Sequence, residues 1–367
     1  MELRPKPEDV TSFTTSLHAF QQQMDARLAE YCQRRISRAQ YMHAGYGSFW
    51  ETVRDVIDAG GKRLRPYLTV QAFEGFGGDP AQQPAVYDVA MAWELLHAGM
   101  LIHDDIIDRD TTRHGQLNVA GRMAEVYAAA GVPAKEVAHQ ADSSALLAGD
   151  ALIGDACRLL GFTVCRAFPE QSDQVLDVLD EAIFSVVGGE LLDTESAFKK
   201  IADVDTIQIA DLKTASYSIV GPLLTGALLA GASEDALKSL RRFGVAMGIG
   251  YQLHDDILGV FGQESVTGKS TTSDLAEGKR TMLMQKAYTL ASAEQKKDID
   301  ELLGRQDASS IAHLRALLHQ LGVEEVVQAQ AQEYMHDALA ALDDVQMQPQ
   351  AKKNLQMLVL FALSRDK

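Results

Sequence analysis

Apolar residues return every three or four positions along almost the whole chain, and sustained alternation of apolar and polar residues is hard to find. A helix gathers positions i, i+3, i+4 and i+7 into one stripe, whereas a half-buried strand needs a period of two. An all-α fold is therefore expected. Helix-start signals agree: Ser292-Ala-Glu-Gln295 has the form of a capping box, and Ser233-Glu-Asp precedes another helical run. Phe76-Gly-Gly-Asp-Pro80 and Gly131-Val-Pro133 read as loops. With 367 residues, 46% of them hydrophobic, the chain can bury a large core. No repeat of fixed period and no linker divides it, so one domain over residues 1–367 is expected. An amphipathic helix at about 10–40 precedes a core at about 45–285, and helices at about 290–365 support it.

Two groups of acids interrupt this pattern. Asp104-Asp105 with Asp108, and Asp255-Asp256, lie in apolar helical runs, and a histidine precedes each pair. Carboxylates are rarely buried unless they are paired or bound to metal. Asp104 and Asp108 stand one turn apart on one helix face, and Asp105 flanks them. His97, seven residues before Asp104, falls within about 20° of the same line. A lone run of this kind also describes an exposed acidic helix end. Here Met100, Leu101, Ile102, Ile106 and Ile107 surround the acids, which favours bridging cations. Mg²⁺ suits the donors, because it usually takes one or two carboxylates and completes its octahedron with waters and substrate phosphates. Cys/His spacing of the zinc type is not found. A diphosphate substrate is the expected complement.

A net charge of −17 argues against nucleic acid or an anionic membrane as the main partner. Local cations can still reverse the sign at an anion site. Cys32, Cys157 and Cys165 follow no pairing pattern and read as reduced thiols. The chain opens on polar residues, and the apolar stretch Ile219 to Ala232 holds Pro222 and is too short to span a bilayer. A cytoplasmic protein without stable membrane insertion is expected.

The basic residues are individually ordinary. Gly60-Gly-Lys-Arg-Leu-Arg-Pro66 pairs two glycines, which permit close backbone approach, with Lys62 and Arg65 as phosphate-binding candidates. Arg113-His114-Gly115 follows the first acids, Lys213-Thr214 falls in a helical run, and Lys269 and Lys279 flank Asp274. Their order around the two acidic groups is the unusual feature.

Taken together and in order, these stretches resemble the trans-isoprenyl diphosphate synthases, or polyprenyl synthetases, and among them the bacterial geranylgeranyl diphosphate synthases. The likeness runs through Gly-Gly-Lys-Arg-Leu-Arg-Pro, Glu-Leu-Leu-His, Asp-Asp-Ile-Ile-Asp, Arg-His-Gly, Lys-Thr, Tyr-Gln-Leu-His-Asp-Asp and Gly-Lys-Ser…Asp-Leu…Gly-Lys-Arg. It implies an isoprenoid synthase-type helical bundle around a deep central cavity, usually a homodimer. By resemblance, Asp104, Asp105, Asp108, Asp255 and Asp256 hold Mg²⁺ against an allylic diphosphate, with three ions when substrate is bound and Mn²⁺ as an alternative. Arg113, Lys213, Thr214, Lys279 and Gln252 contact that substrate, and Lys269 closes over it. Lys62, Arg65 and His97 bind isopentenyl diphosphate.

Two positions depart from the family pattern. His114 stands where a second arginine is usual, so that part of the isopentenyl diphosphate clamp is charged only below the histidine range. Gly259 replaces a third aspartate of the second motif.

The implied reaction is head-to-tail prenyl transfer. Product length is expected to depend on residues upstream of the first motif. Gly99 and Met100 supply no aromatic plug, which disfavours stopping at farnesyl length. Trp93, about 16 Å deeper on nearly the same helix face, is the candidate floor for a geranylgeranyl product. Longer-chain or farnesyl synthesis, a class I terpene cyclase and a non-catalytic subunit of a heteromeric synthase are the alternatives. The intact second Asp pair and the isopentenyl clamp disfavour the cyclase, and two intact acidic motifs disfavour the silent subunit.

Overall fold

Helices make up nearly all of the computed structural model, which describes residues 7–113, 115–262 and 273–363; His114 and Lys269 lie outside them. Among the described residues the strands are a single pair of two residues each, Thr112–Arg113 (β1) antiparallel to Gln116–Leu117 (β2). The all-α expectation holds. The chain groups into two compact units, one holding residues 7–74 and 78–173, the other residues 75–77 and 174–363.

The first unit begins with α1 (Pro7–Met42), which buries Phe13, Leu17, Met24, Leu28 and Tyr31, the stripe expected of an amphipathic helix. Next come α2 (Ala44–Asp58) and α3 (Leu64–Gly75). Helix α4 (Val86–Ile107) is buried on every side from Val89 to Leu96, so it is a core helix. It packs on α6 (Ala134–Ala167) through small residues. A Cβ on Gly149 would lie 2.3 Å from the His103 ring, and one on Gly99 would lie 2.8 Å from Ile153 Cγ1 and 3.0 Å from the Gly149 carbonyl. These distances exclude side chains, so the glycines set how closely the two helices approach. Each fully buried leucine on these faces, such as Leu95 or Leu152, contributes about 1.5–3 kcal/mol.

Between them, the β1–β2 hairpin turns the chain back onto the end of α4. Asn118 caps α5 (Val119–Ala129) by accepting from Gly121 N at 2.9 Å, and its Nδ2 donates to the Asp110 carbonyl at 2.7 Å.

In the second unit, α7 (Ser172–Ser196) and α8 (Thr206–Ala210) lead into a π-helix, Asp211–Val220. Helix α9 (Gly221–Leu229) continues from it without a break, and Pro222 follows directly on the junction. No helix among the described residues is long and apolar enough to cross a membrane. Helix α10 (Glu234–Phe261) supplies Ile249, Leu253, Ile257 and Val260 to the core. Those residues meet α11 (Ser273–Glu277), α12 (Met282–Leu290), α13 (Ala293–Leu302), α14 (Ala308–Gln320) and α15 (Val323–Asp343). Helix α16 (Pro349–Leu363) ends the unit. Both capping-box bonds form at Ser292, and Ser233 caps α10 through Ala236 N.

Candidate active site

In the first unit the acids sit at the C-terminal end of α4. Asp105 is buried, Asp104 half-buried, and Asp108 closes the helix by donating its N–H to the Asp104 carbonyl at 2.8 Å. Arg113, turned back by the hairpin, donates from Nε to Asp105 Oδ1 at 2.7 Å and from Nη2 to Asp104 Oδ2 at 3.0 Å. Burial pushes the Asp105 carboxyl up to about 6; Arg113 pulls against this, while Asp104 and Asp110 add to it. Burial alone would lower the Arg113 pKa, but Asp105 and Asp104 outweigh it and raise the group. His97 is held well below its ordinary value, first by burial and then by the charges of Arg65 and Arg113. Each of these influences favours the neutral imidazole. Arg113 thus joins Asp104 and Asp105, and Arg65 and Arg113 lie near enough to His97 for their charges to act on it.

The Gly-Gly-Lys-Arg loop differs from the expectation in one respect. Lys62 is exposed and Arg65 half-buried, but Arg63 between them turns inward and is 6% exposed. Its backbone is left-handed at φ 49°, a conformation costing roughly 1–3 kcal/mol for a non-glycine residue. Gly60 has φ 105° and needs to be glycine, whereas a Cβ on Gly61 would lie 3.3 Å from Arg63 Nη1. The second glycine therefore makes room for a guanidinium.

The chain-length positions are also placed. Trp93 is fully buried and Met100 half-buried. By sequence, Gly99 supplies no aromatic plug. In the structure α6 already fills the space that a side chain there would enter.

In the second unit Lys213 lies in the π-helix, an element that is rare and often found at functional sites. Helices α7 and α10 press directly on its backbone: a Cβ on Gly189 would lie 2.4 Å from Lys213 N, and one on Gly248 2.4 Å from Ala215 Cα. Lys213 Nζ pairs with Asp193 Oδ2 at 2.7 Å and Glu190 Oε2 at 2.8 Å. Thr214 Oγ1 donates to Gln252 Oε1 at 2.5 Å, and Gln252 Nε2 donates to Asp256 Oδ1 at 2.8 Å. Asp256 is raised well above the carboxylate range by burial, then by the charges of Asp274, Asp193 and Asp255, with Gln252 opposing. Lys279 follows Gly278, at φ 76°, and pairs with Glu277 Oε2 at 3.0 Å.

Sequence reasoning missed Arg63, Glu94, Glu190 and Asp193. Glu94 stands three residues before His97 on the same face, and Gly188-Gly189 precedes Glu190 inside a helix; both were usable signals. Among the described residues no three His, Cys, Asp or Glu groups converge to hold an ion by themselves. The donors are nonetheless all carboxylate oxygens, and at Asp105 and Asp256 burial raises the pKa, a cost that a hard divalent cation would offset.

The polyprenyl synthetase family model matches residues 48–321. The geranylgeranyl diphosphate synthase of Sulfolobus acidocaldarius is 32% identical over 273 residues, 73% of this chain and 76% of its own. The geranylfarnesyl diphosphate synthase of Aeropyrum pernix is 30% identical over 317 residues, 85% of this chain and 92% of its own. A crystal structure of geranylgeranyl pyrophosphate synthase from Corynebacterium glutamicum, complexed with isoprenyl diphosphate and magnesium, matches with a TM-score of 0.87. Its identity is 29%, covering 95% of this chain and 99% of that one. The chain therefore belongs to the polyprenyl synthetase family.

Proposed function

We propose that this prenyltransferase condenses isopentenyl diphosphate with an allylic diphosphate to give a linear all-trans product, geranylgeranyl diphosphate. Asp104, Asp105, Asp108, Asp255 and Asp256 are the carboxylates for divalent metal, three Mg²⁺ ions with substrate bound or Mn²⁺ in their place. Bound metal would supply positive charge to the allylic diphosphate as its C–O bond breaks. Arg113, Lys213, Lys279 and Gln252 donate hydrogen bonds to the same group, and stabilising charge where it develops accelerates the step directly. The isopentenyl double bond attacks the resulting allylic cation, so orientation by Lys62, Arg65 and neutral His97 lowers the barrier further. A proton then leaves the new chain, with the departed diphosphate as acceptor.

One observation carries this reading: Arg113 bonds Asp104 and Asp105 at the end of α4, and the charges of Arg65 and Arg113 act on His97 two turns earlier on the same helix, inside the span the family model matches. Trp93 is taken as the floor that limits the product to geranylgeranyl length. An unchanged product ladder in Trp93→Ala would remove that assignment.

Residues 1–367 are taken as one catalytic domain, acting in the cytoplasm as a homodimer. Exposed Phe184, Val187 and Leu191 form an apolar face on α7, which supports self-association. Incubating the purified chain with each allylic starter, Mg²⁺ and radiolabelled isopentenyl diphosphate, then sizing the dephosphorylated products, tests the proposal. Linear geranylgeraniol supports it, cyclic hydrocarbon would make the chain a terpene cyclase, and activity only with a second subunit would make it a partner protein.

A further inference from the structure

We propose that Arg63 and Glu94 form a positioning device for the isopentenyl diphosphate clamp, fixing the loop that carries Lys62 and Arg65 to the helix that carries His97. The inference rests on the proposed role of Lys62 and Arg65, and it adds two residues that do not themselves touch substrate.

The Arg63 guanidinium is engaged on three sides, each by a different element of the first unit. Nη1 donates to Glu94 Oε1 on α4 at 2.9 Å, Nε to Asp25 Oδ1 on α1 at 2.7 Å, and Nη2 to the Ile57 carbonyl at the end of α2 at 2.9 Å. Gln21 on α1 also donates to the Lys62 carbonyl at 3.0 Å. Arg63 and Glu94 are 6% and 5% exposed, so the pair is desolvated. A buried ion pair is weak evidence for stability, since apolar residues of the same size often serve as well or better. What a planar fork with fixed donor directions supplies is geometry.

That geometry has a destination. Holding Arg63 inward in a left-handed backbone leaves Lys62 exposed and Arg65 half-buried on either side of it. Glu94 lies three residues before His97 on α4, so the same turn of helix grips the loop and presents the imidazole. The bond from Arg63 to Glu94 sets the loop against the same face of α4, and the Arg65 and Arg63 charges both act on the imidazole. A Cβ on Gly61 would lie 3.3 Å from Arg63 Nη1, a tight contact with the same fork.

The test compares Michaelis constants in Glu94→Gln, Asp25→Asn and Lys62→Ala, and in Glu94→Gln combined with Lys62→Ala. Glu94→Gln should raise KM for isopentenyl diphosphate about tenfold, a loss typical of small misplacement near a reacting group. KM for the allylic substrate should stay near wild type, whereas kcat should fall as the isopentenyl double bond loses its orientation. Asp25 is half exposed, so Asp25→Asn leaves folding intact and should raise the same KM about threefold. In the Lys62→Ala background the Glu94→Gln effect should shrink, because the group being positioned is gone.

A lower melting temperature with an unchanged KM for isopentenyl diphosphate would make the pair a structural brace and overturn the proposal. If Glu94→Gln does not fold, Asp25→Asn alone decides. If Lys62→Ala and Arg65→Ala both leave that KM unchanged, the clamp assignment itself is wrong. If they raise it and Asp25→Asn and Glu94→Gln do not, only the positioning role fails.

Discussion

Asp274 Oδ2 stands 2.9 Å from the point that a Cβ on Gly259 would occupy. Read as sequence, Gly259 is a missing acid at the end of the second motif. In the fold, a carboxylate from α11 stands at that position on α10, and its charge is the first among those that raise Asp256. Asp274→Asn should therefore increase the Mg²⁺ concentration needed for half-maximal activity, by about fivefold for one charge removed at close range. Gly259→Ala should act in the same direction by displacing Asp274. Calorimetric titration of Mg²⁺ with an unreactive allylic analogue present checks both, and unaltered affinity in Asp274→Asn would exclude the substitute role.

The raised Asp105 carboxyl sets a pH dependence. Its pKa in the fold, about 6, lies above the ordinary value of 3.8, so the folded chain holds this proton more tightly than the unfolded chain. Stability of the metal-free protein should fall as pH rises from about 4 to 6 and then level off, as far as this group is concerned. Divalent metal needs the ionised form, so its apparent affinity should climb through the same window and plateau above it. Arg113→Gln removes the partner that pulls the group down and should move the plateau to higher pH. Metal affinity that stays flat between pH 5 and 7 would contradict this.

Position 99 should behave as a packing site. Gly99→Ala forces a Cβ against Ile153 and the Gly149 carbonyl, and such overpacking typically costs about 1–3 kcal/mol. A lower melting temperature with unchanged product length is the expected result. Shortened products at an unchanged melting temperature would make position 99 a chain-length determinant instead.

Lys213 is held by two acids on α7 and sits one residue before the Thr214–Gln252–Asp256 relay. Lys213→Ala should lower kcat by about 10²–10³, the usual loss when one donor to a developing anion is removed. It should also leave Glu190 and Asp193 repelling each other. Gln252→Leu removes the hydrogen bond that opposes the raised Asp256 pKa, so the rate should require higher pH. Single-turnover rates against pH for the two variants separate these effects.

Helix periodicity, the capping box at Ser292, the acids at the end of α4 and the order of the basic residues were all legible in the sequence. The first three depend on residues within a turn or two of one another, where backbone geometry alone fixes which side chains share a face, and the last is itself a linear order. The inward turn of Arg63 was not legible, because its partners Glu94 and Asp25 lie 31 and 38 residues away. Nor was the pairing of Lys213 with Asp193, 20 residues distant and set by the pressure of α7 on a π-helix. Asp274 beside Gly259 and α6 filling the space at Gly99 belong to the same class. Such contacts arise when close-packed helices bring distant segments into register, and a one-dimensional pattern carries no measure of that distance.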